Sequence, residues 1–252
     1  MRIAGRGRIV VWEGASLWVL AAPGHASGAD FHAHHAIQMT ISLAGGFVIQ
    51  TPDERSEGPI TLVAADAQHF FEANGICAFL FVEAESTAGR AIAGRWLSAS
   101  SLAQIKADAI GPLIATLRER FAENCSNAEL VDWARDFIAE IAGKAPSALP
   151  DARVQAMIDF TRSNLDLPLT LSMAAACAHL SPSRARHLFA ADTGLPFKTF
   201  VLWQRLERAV ELYALGHSLT KAAHEAGFAD SAHLSRTFRK TFGIPASMLE
   251  LV

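Results

Sequence analysis

Apolar and polar positions alternate over short stretches through the first 85 residues, the period expected of half-buried strands. Arg8–Glu13 and Ser16–Ala22 flank a turn at Gly14, and Ile37–Leu43 and Phe47–Thr51 lie on either side of Gly45-Gly46. Further apolar runs fall at Ile60–Ala64, His69–Glu72 and Ala78–Glu83. Many short strands with turn signals between them predict a small barrel or sandwich. From about Ser98 the period lengthens. Leu102, Ile105, Ile110, Leu113, Ile114, Leu117 and Phe121 keep one helical face, with Gly111-Pro112 bending or restarting the helix. Asn127 is the expected N-cap of a second helix with the face Leu130, Ala134, Phe137, Ile138 and Ile141, ended by Gly143. These two amphipathic helices either cover the barrel or form a homodimer interface.

Lys144 to Pro150, with two prolines and small residues, reads as a linker. Everything beyond it is helical in pattern and contains a duplication. Thr170-Leu171-Ser172-Met173-Ala174-Ala175 opens one unit, and Ser218-Leu219-Thr220-Lys221-Ala222-Ala223 opens the other, 48 residues on. The tails also match, Phe189 to Gly194-Leu195-Pro196 and Phe238 to Gly243-Ile244-Pro245, but at an offset of 49. A short helical unit repeated once, each copy with a tight turn near its middle, predicts paired helix-turn-helix modules joined by a long helix at 197–215.

In such a module the second helix enters the DNA major groove. Ser181-Pro182 is a natural start for that helix in the first unit, and Asp230 is the expected N-cap in the second. With Ala185, Leu188 and Phe189 facing inward, the outer face of the first carries Ser183, Arg184, Arg186 and His187. The second presents Ser231, Ala232, Ser235 and Arg236, with Arg239 and Lys240 at its far end. Arginine offers a fork to the acceptors of guanine, and serine or histidine can donate or accept. A basic helix face is ordinarily a solvated one. Here the cations recur at equivalent places in both copies, and acids are nearly absent from those faces.

Charge sharpens the division without deciding it. The chain of 252 residues carries a net −3, yet residues 1–150 hold 11 Lys/Arg against 16 Asp/Glu and residues 151–252 hold 11 against 9. The three cysteines, Cys77, Cys125 and Cys177, form no C-x-x-C pair, which speaks against a zinc ribbon or a disulfide framework. The apolar run at Ile9–Trp12 is too short for a secretion signal, and no stretch approaches the roughly 20 apolar residues of a membrane span. A cytoplasmic protein without a membrane partner is expected.

The segment from Ala222 through Phe228 and Asp230 to Arg236, Phe238 and Gly243 closely resembles the signature of AraC-type transcriptional regulators. Leu180-Ser181-Pro182-Ser183-Arg184-Ala185-Arg186-His187-Leu188-Phe189 is similar to the first recognition segment of that family. The resemblance covers roughly Asp151 to Ser247. It implies two recognition helices placed in successive major grooves of double-stranded DNA. Ser183, Arg186, His187, Ser231, Ser235 and Arg236 would then read bases, and Arg184, Arg239 and Lys240 would hold the backbone. Pro245 stands one place earlier than is usual in the family. The small residues Ser231 and Ala232 suggest that the second helix acts more through phosphate contact and DNA shape.

Near the N-terminus His32-Ala33-His34, Gln38 and Gly45 have the spacing of the first cupin motif, with Gln38 in place of the usual Glu. His69 stands where the ligand of the second motif would be, but Ala64 and Asp66 replace its Pro and Gly. In an extended strand His32, His34 and Gln38 share one face and His35 takes the other. The set could hold Zn²⁺, Fe²⁺ or Mn²⁺. A neutral amide is a poorer ligand than a carboxylate, however, and the resemblance implies a barrel used as an effector pocket. No metal or other cofactor is therefore expected, and His32, His34, Gln38 and His69 are candidates to contact a small effector.

The fold expected is α+β. A cupin-like barrel over about 1–97 with two helices over about 98–143 is followed by a linker at 144–151. An all-α DNA-binding domain occupies 152–252, with its units at about 170–194 and 218–243. The function expected is sequence-specific DNA binding under the control of a small effector, with RNA polymerase as a partner if the protein activates. A metal-dependent cupin enzyme with an accessory helical domain is the alternative. A protein that uses its helices only for partner binding is a third.

Overall fold

The computed structural model describes residues 5–21, 27–106, 110–144, 149–246 and 249–251, so residues 145–148 of the expected linker lie outside the described residues. The chain divides into two compact units, 1–147 with 238–252, and 148–237. Residues 238–252, read from sequence as the end of the helical region, thus belong with the sheet.

In the first unit, β1 (Gly5–Trp12) and β2 (Ala15–Ala21) form the hairpin around Gly14, which takes φ 85°. They are followed by β3 (Ser27–His32), β4 (Ala36–Gln50), β5 (Arg55–Glu57), β6 (Ile60–Val63) and β7 (His69–Glu83). After α1 (Thr87–Trp96) comes β8 (Leu102–Gln104), then α2 (Gly111–Ala122) and α3 (Asn127–Ala142). The strand order is β8-β6-β4-β7-β2-β1-β9, with β3 on β7 and β5 on β4; β9 (Leu249–Leu251) runs parallel to β1 and the other pairs are antiparallel.

The expected turn at Gly45-Gly46 is not a turn. β4 runs through it, and β7 likewise runs through Gly75, so four expected strands are two long ones. Gly45 and Gly75 pair across the ladder with φ 76° and 109°, next to a register shift between Ser42 and Ala44. Glycine here lets a continuous ladder bend, as at a bulge, instead of reversing the chain. The helix expected from Ser98 begins only at Gly111, with Pro112 in its first turn; Leu102 instead lies buried in β8. The N-cap of α3 is Ser126 and not Asn127, and with Glu129 it closes a capping box.

Alternation along the strands gives the sheet two distinct faces. Leu17, Val19, Ile37, Met39, Ala78 and Leu80 pack with Ile114, Leu117, Trp133 and Phe137 of α2 and α3 in one core. Those apolar faces are buried within the chain, so the helices cover the sheet and do not hold these faces open for a second copy. The intervening residues Trp18, Leu20, Cys77, Phe79 and Phe81 line a pocket.

The second unit holds α4 (Ala152–Arg162), α5 (Leu171–Cys177), α6 (Pro182–Thr193), α7 (Phe197–Ala214) and α8 (Leu219–Glu225), and the first seven residues of α9 (Ser231–Phe242). Phe189 is the hub of its core, with edge contacts to Phe197 and Phe200 at 5.3 and 5.1 Å between ring centroids. Val154, Met157, Ile158, Ala174, Ala175 and Ala185 close around it. Among the described residues no helix is long and apolar enough to cross a membrane.

Candidate nucleic-acid interface and sensor pocket

Both copies of the repeat form a helix, a tight turn and a second helix, and equivalent side chains hold their starts. Thr170 and Ser218 accept hydrogen bonds from the backbone N–H of Met173 and Lys221. α5 and α8 are offset by 48 residues, and α6 and α9 by 49. The extra residue therefore falls in the second turn, between Phe228 and the cap Asp230. At the heart of each turn the backbone is left-handed, through His179 (φ 55°) in the first copy and Gly227 (φ 79°) in the second. A Cβ on Gly227 would meet the Leu165 carbonyl at 2.4 Å and Arg205 at 2.8 Å. Arg205 fills that space and donates to the carbonyls of Leu165 and Leu167.

α6 starts as expected, with Pro182 in its first turn and Ser181 accepting from the Arg184 N–H at 3.3 Å. Ala185 and Phe189 are fully buried, while Ser183, Arg184, Arg186 and His187 are exposed on one side. α9 begins behind Asp230, which accepts from the His233 N–H at 2.6 Å. Leu234 and Phe238 face inward, and Ala232, Arg236, Arg239 and Lys240 outward. Ser231 and Ser235 are half-buried, and the Ser235 hydroxyl donates to the Ser231 carbonyl at 2.8 Å. That bond turns the hydroxyl back on the helix. Arg239 lies 3.5 Å from the Asp30 carboxylate, an exposed pair. Arg184, Arg186, Arg236 and Lys240 have no carboxylate partner among the described residues, so their donors face solvent.

In the first unit the structure gathers His32, His34, Gln38 and His69, but not along one strand. His32 ends β3 and pairs across the ladder with His69, which opens β7; His34 lies in the link to β4, and Gln38 lies on β4. All four are buried. The ring centroids stand 4.2 Å (His32 to His69), 5.1 Å (His34 to His69) and 5.8 Å (His32 to His34) apart. Nδ1 of each histidine meets a backbone carbonyl, Asp30 at 2.7 Å, Ala36 at 3.1 Å and Ala67 at 2.9 Å respectively for His32, His34 and His69. Gln38 donates to the Thr40 hydroxyl at 2.8 Å and turns its Oε1 to His34 Nε2 at 2.9 Å. Burial lowers the pKa of all three rings, to about 4 for His34 and about 2 for His69, where neighbouring histidines lower it further. They are neutral imidazoles at physiological pH.

His35 faces away, as expected, with Nδ1 2.8 Å from the Asp66 carboxylate. Asp66, standing where the cupin motif has Gly, takes φ 61° and donates its N–H to the His34 carbonyl at 2.9 Å. It thereby fixes the segment that carries the histidines. Sequence reasoning missed the walls of the pocket. His32 and Gln38 are polar members of a lining otherwise dominated by Trp18, Leu20, Phe79, Phe81 and Phe242. Phe242 packs on Trp18 with centroids 4.9 Å apart. The period-2 alternation of β2 and β7 held the signal, since Trp18, Leu20, Phe79 and Phe81 alternate with the positions that pack with α2 and α3.

Comparison with known proteins falls along the same division. Residues 174–249 match the protein-family model described as a helix-turn-helix domain. An uncharacterised HTH-type transcriptional regulator of Escherichia coli, YpdC, is 28% identical over 95 residues, 37% of this chain and 33% of that protein. The regulatory protein Ada of Salmonella typhimurium is 35% identical over 81 residues, 32% of this chain and 23% of Ada. The chain thus matches a third or less of the length of these curated relatives. Its C-terminal region is a helix-turn-helix domain, similar in sequence to those of these two regulators. Over 98% of both chains the fold is that of ToxT from Vibrio cholerae O395, with a TM-score of 0.59 at 14% identity. A structure of ToxT from strain SCE256 with an unsaturated fatty acid bound has a TM-score of 0.52 at 10% identity, over 93% of this chain and 95% of that one.

Proposed function

We propose that this protein is a sequence-specific DNA-binding transcriptional regulator whose N-terminal sheet unit takes a small, largely apolar effector. The observation that carries the reading is the pair of capped helices α6 and α9, each with an outward arginine free of acidic partners, Arg186 and Arg236. Base readout falls to Ser183, Arg186 and His187 on α6 and to Arg236 on α9. Ser231 and Ser235 contribute less, because the Ser235 hydroxyl is already engaged. Arg184 and Lys240 neutralise phosphates, and Arg239 does so on leaving Asp30.

The aromatic lining with His32 and Gln38 at one side suits a molecule with an apolar body and one hydrogen-bonding end. The fatty acid in ToxT supports that class of ligand. The protein works in the cytoplasm, where its operator is, and meets RNA polymerase if it activates. Selection of genomic fragments by the purified full chain, followed by gel shift against non-specific competitor, tests the reading. One enriched motif with two half-sites about one helical turn apart is expected. Equal retention of all fragments would sink it.

A further inference from the structure

We propose that the effector of the sheet unit is a neutral molecule with an aromatic body and one hydroxyl, a phenol and not a carboxylate, whose hydroxyl donates to His32. The inference rests on the reading of that unit as an effector site. It names the chemistry of the ligand's polar end, where it departs from the fatty acid seen in ToxT.

Charge is the first ground. Among the described residues the pocket is lined by no lysine, arginine, aspartate or glutamate. Arg239 is exposed, pairs with Asp30 and is not part of the lining. A carboxylate entering here would lose its water and meet no cation. Charging His32 to answer it would set an imidazolium beside the rings of His34 and His69, 5.8 and 4.2 Å away between centroids in a buried cluster. A carboxylic acid could enter only in its protonated form, on the order of one part in a thousand at pH 7.5.

Hydrogen-bond polarity is the second ground. A carbonyl can only accept, so the contact of His32 Nδ1 with the Asp30 carbonyl at 2.7 Å places the ring hydrogen there and leaves Nε2 its lone pair. His69 is held in the same way by the Ala67 carbonyl at 2.9 Å, and its buried Nε2 has no hydrogen-bond partner. The Gln38 amide is already engaged with Thr40 and His34. The polar end of the pocket therefore offers acceptors and calls for a donor. A hydroxyl supplies one, whereas an ether or a carboxylate does not.

The remaining wall selects the body. Trp18, Phe71, Phe79, Phe81 and Phe242 line it, with rings meeting edge-on at 5.1 Å for Trp18 and Phe81 and 4.9 Å for Phe71 and Phe79. Such a wall presents both ring faces and ring edges, and a flat aromatic ligand can pack on either.

The test titrates the full chain by calorimetry at pH 7.5 with 4-propylphenol, 4-propylanisole and 4-propylbenzoate, which share a body and differ at the polar end. One 4-propylphenol per chain is expected. The anisole should bind more than about tenfold more weakly, and the benzoate more than about a hundredfold. This ranking is read on the unaltered chain and needs no variant. In His32→Leu the phenol should fall to the affinity of the anisole, while the anisole binds as before and so reports an intact pocket. Benzoate bound as tightly as the phenol, or a wild-type chain that does not distinguish phenol from anisole, overturns the inference and leaves an apolar effector standing. Binding of none of the three overturns it together with the effector reading. Gel shift on the same preparations reads DNA binding on its own.

Discussion

Gly45 and Gly75 face each other across β4 and β7, and at each the backbone of the opposite strand takes the space of a side chain. A Cβ on Gly45 would stand 1.9 Å from the Asn74 carbonyl oxygen, and one on Gly75 would stand 2.2 Å from that of Ala44. Both residues also hold positive φ. Gly75→Ala should therefore destabilise the chain by more than about 1 kcal/mol, since backbone clash adds to conformational strain. Thermal unfolding measures it. An unchanged melting temperature would mean that the ladder does not bend here as described.

The two recognition helices should respond differently to loss of their arginines. Arg186→Ala should cost about 1–3 kcal/mol on the selected operator and relax sequence preference at one position. Arg236→Ala should cost less and disturb preference less, because the hydroxyls beside it are small or engaged. Gel shifts on an operator with single-base changes read both effects.

Lys240→Ala should weaken binding to all sequences alike and reduce the slope of log affinity against log salt by about one. Affinity measured at several salt concentrations separates this phosphate role from base reading. A change in sequence preference with an unaltered slope would place Lys240 on a base.

The cysteines should label in the order of their exposure. Cys177 is exposed, Cys125 intermediate and Cys77 buried. Burial also pushes the Cys77 thiol up to about 12, so it has almost no thiolate at neutral pH. A maleimide should modify native protein first at Cys177 and reach Cys77 only on unfolding, as peptide mass mapping would show. A pocket ligand should leave Cys177 labelling unchanged.

The helical third was legible because its signals are local. Caps such as Ser181, Asp230 and Ser218, and apolar residues at helical spacing, lie within a turn or two of what they control. The sheet was harder to read. Glycines that bend a ladder look, one strand at a time, like glycines that end it, so β4 and β7 each read as two. Leu102 and Ile105 are three residues apart, which suits a helix as well as the short strand β8. α1 has only Gly89 and Ile92 buried and so offered little periodicity. At the histidine cluster, the spacing of His32, His34 and Gln38 picked out side chains that the structure does bring together. Their meeting depends on the pairing of β3 with β7 and on the left-handed Asp66, both of which lie outside local pattern.

His179 and Gly227 hold the same place in the two copies of the repeat. Left-handed backbone costs a residue with a Cβ on the order of 1 kcal/mol and costs glycine nothing. Exchange between the copies is consequently one-way. Glycine can enter the first turn with relief, since His179 is exposed there, whereas no side chain can enter the second without evicting Arg205. The duplicated halves have become unequal in what they tolerate: drift is open to one turn and closed to the other.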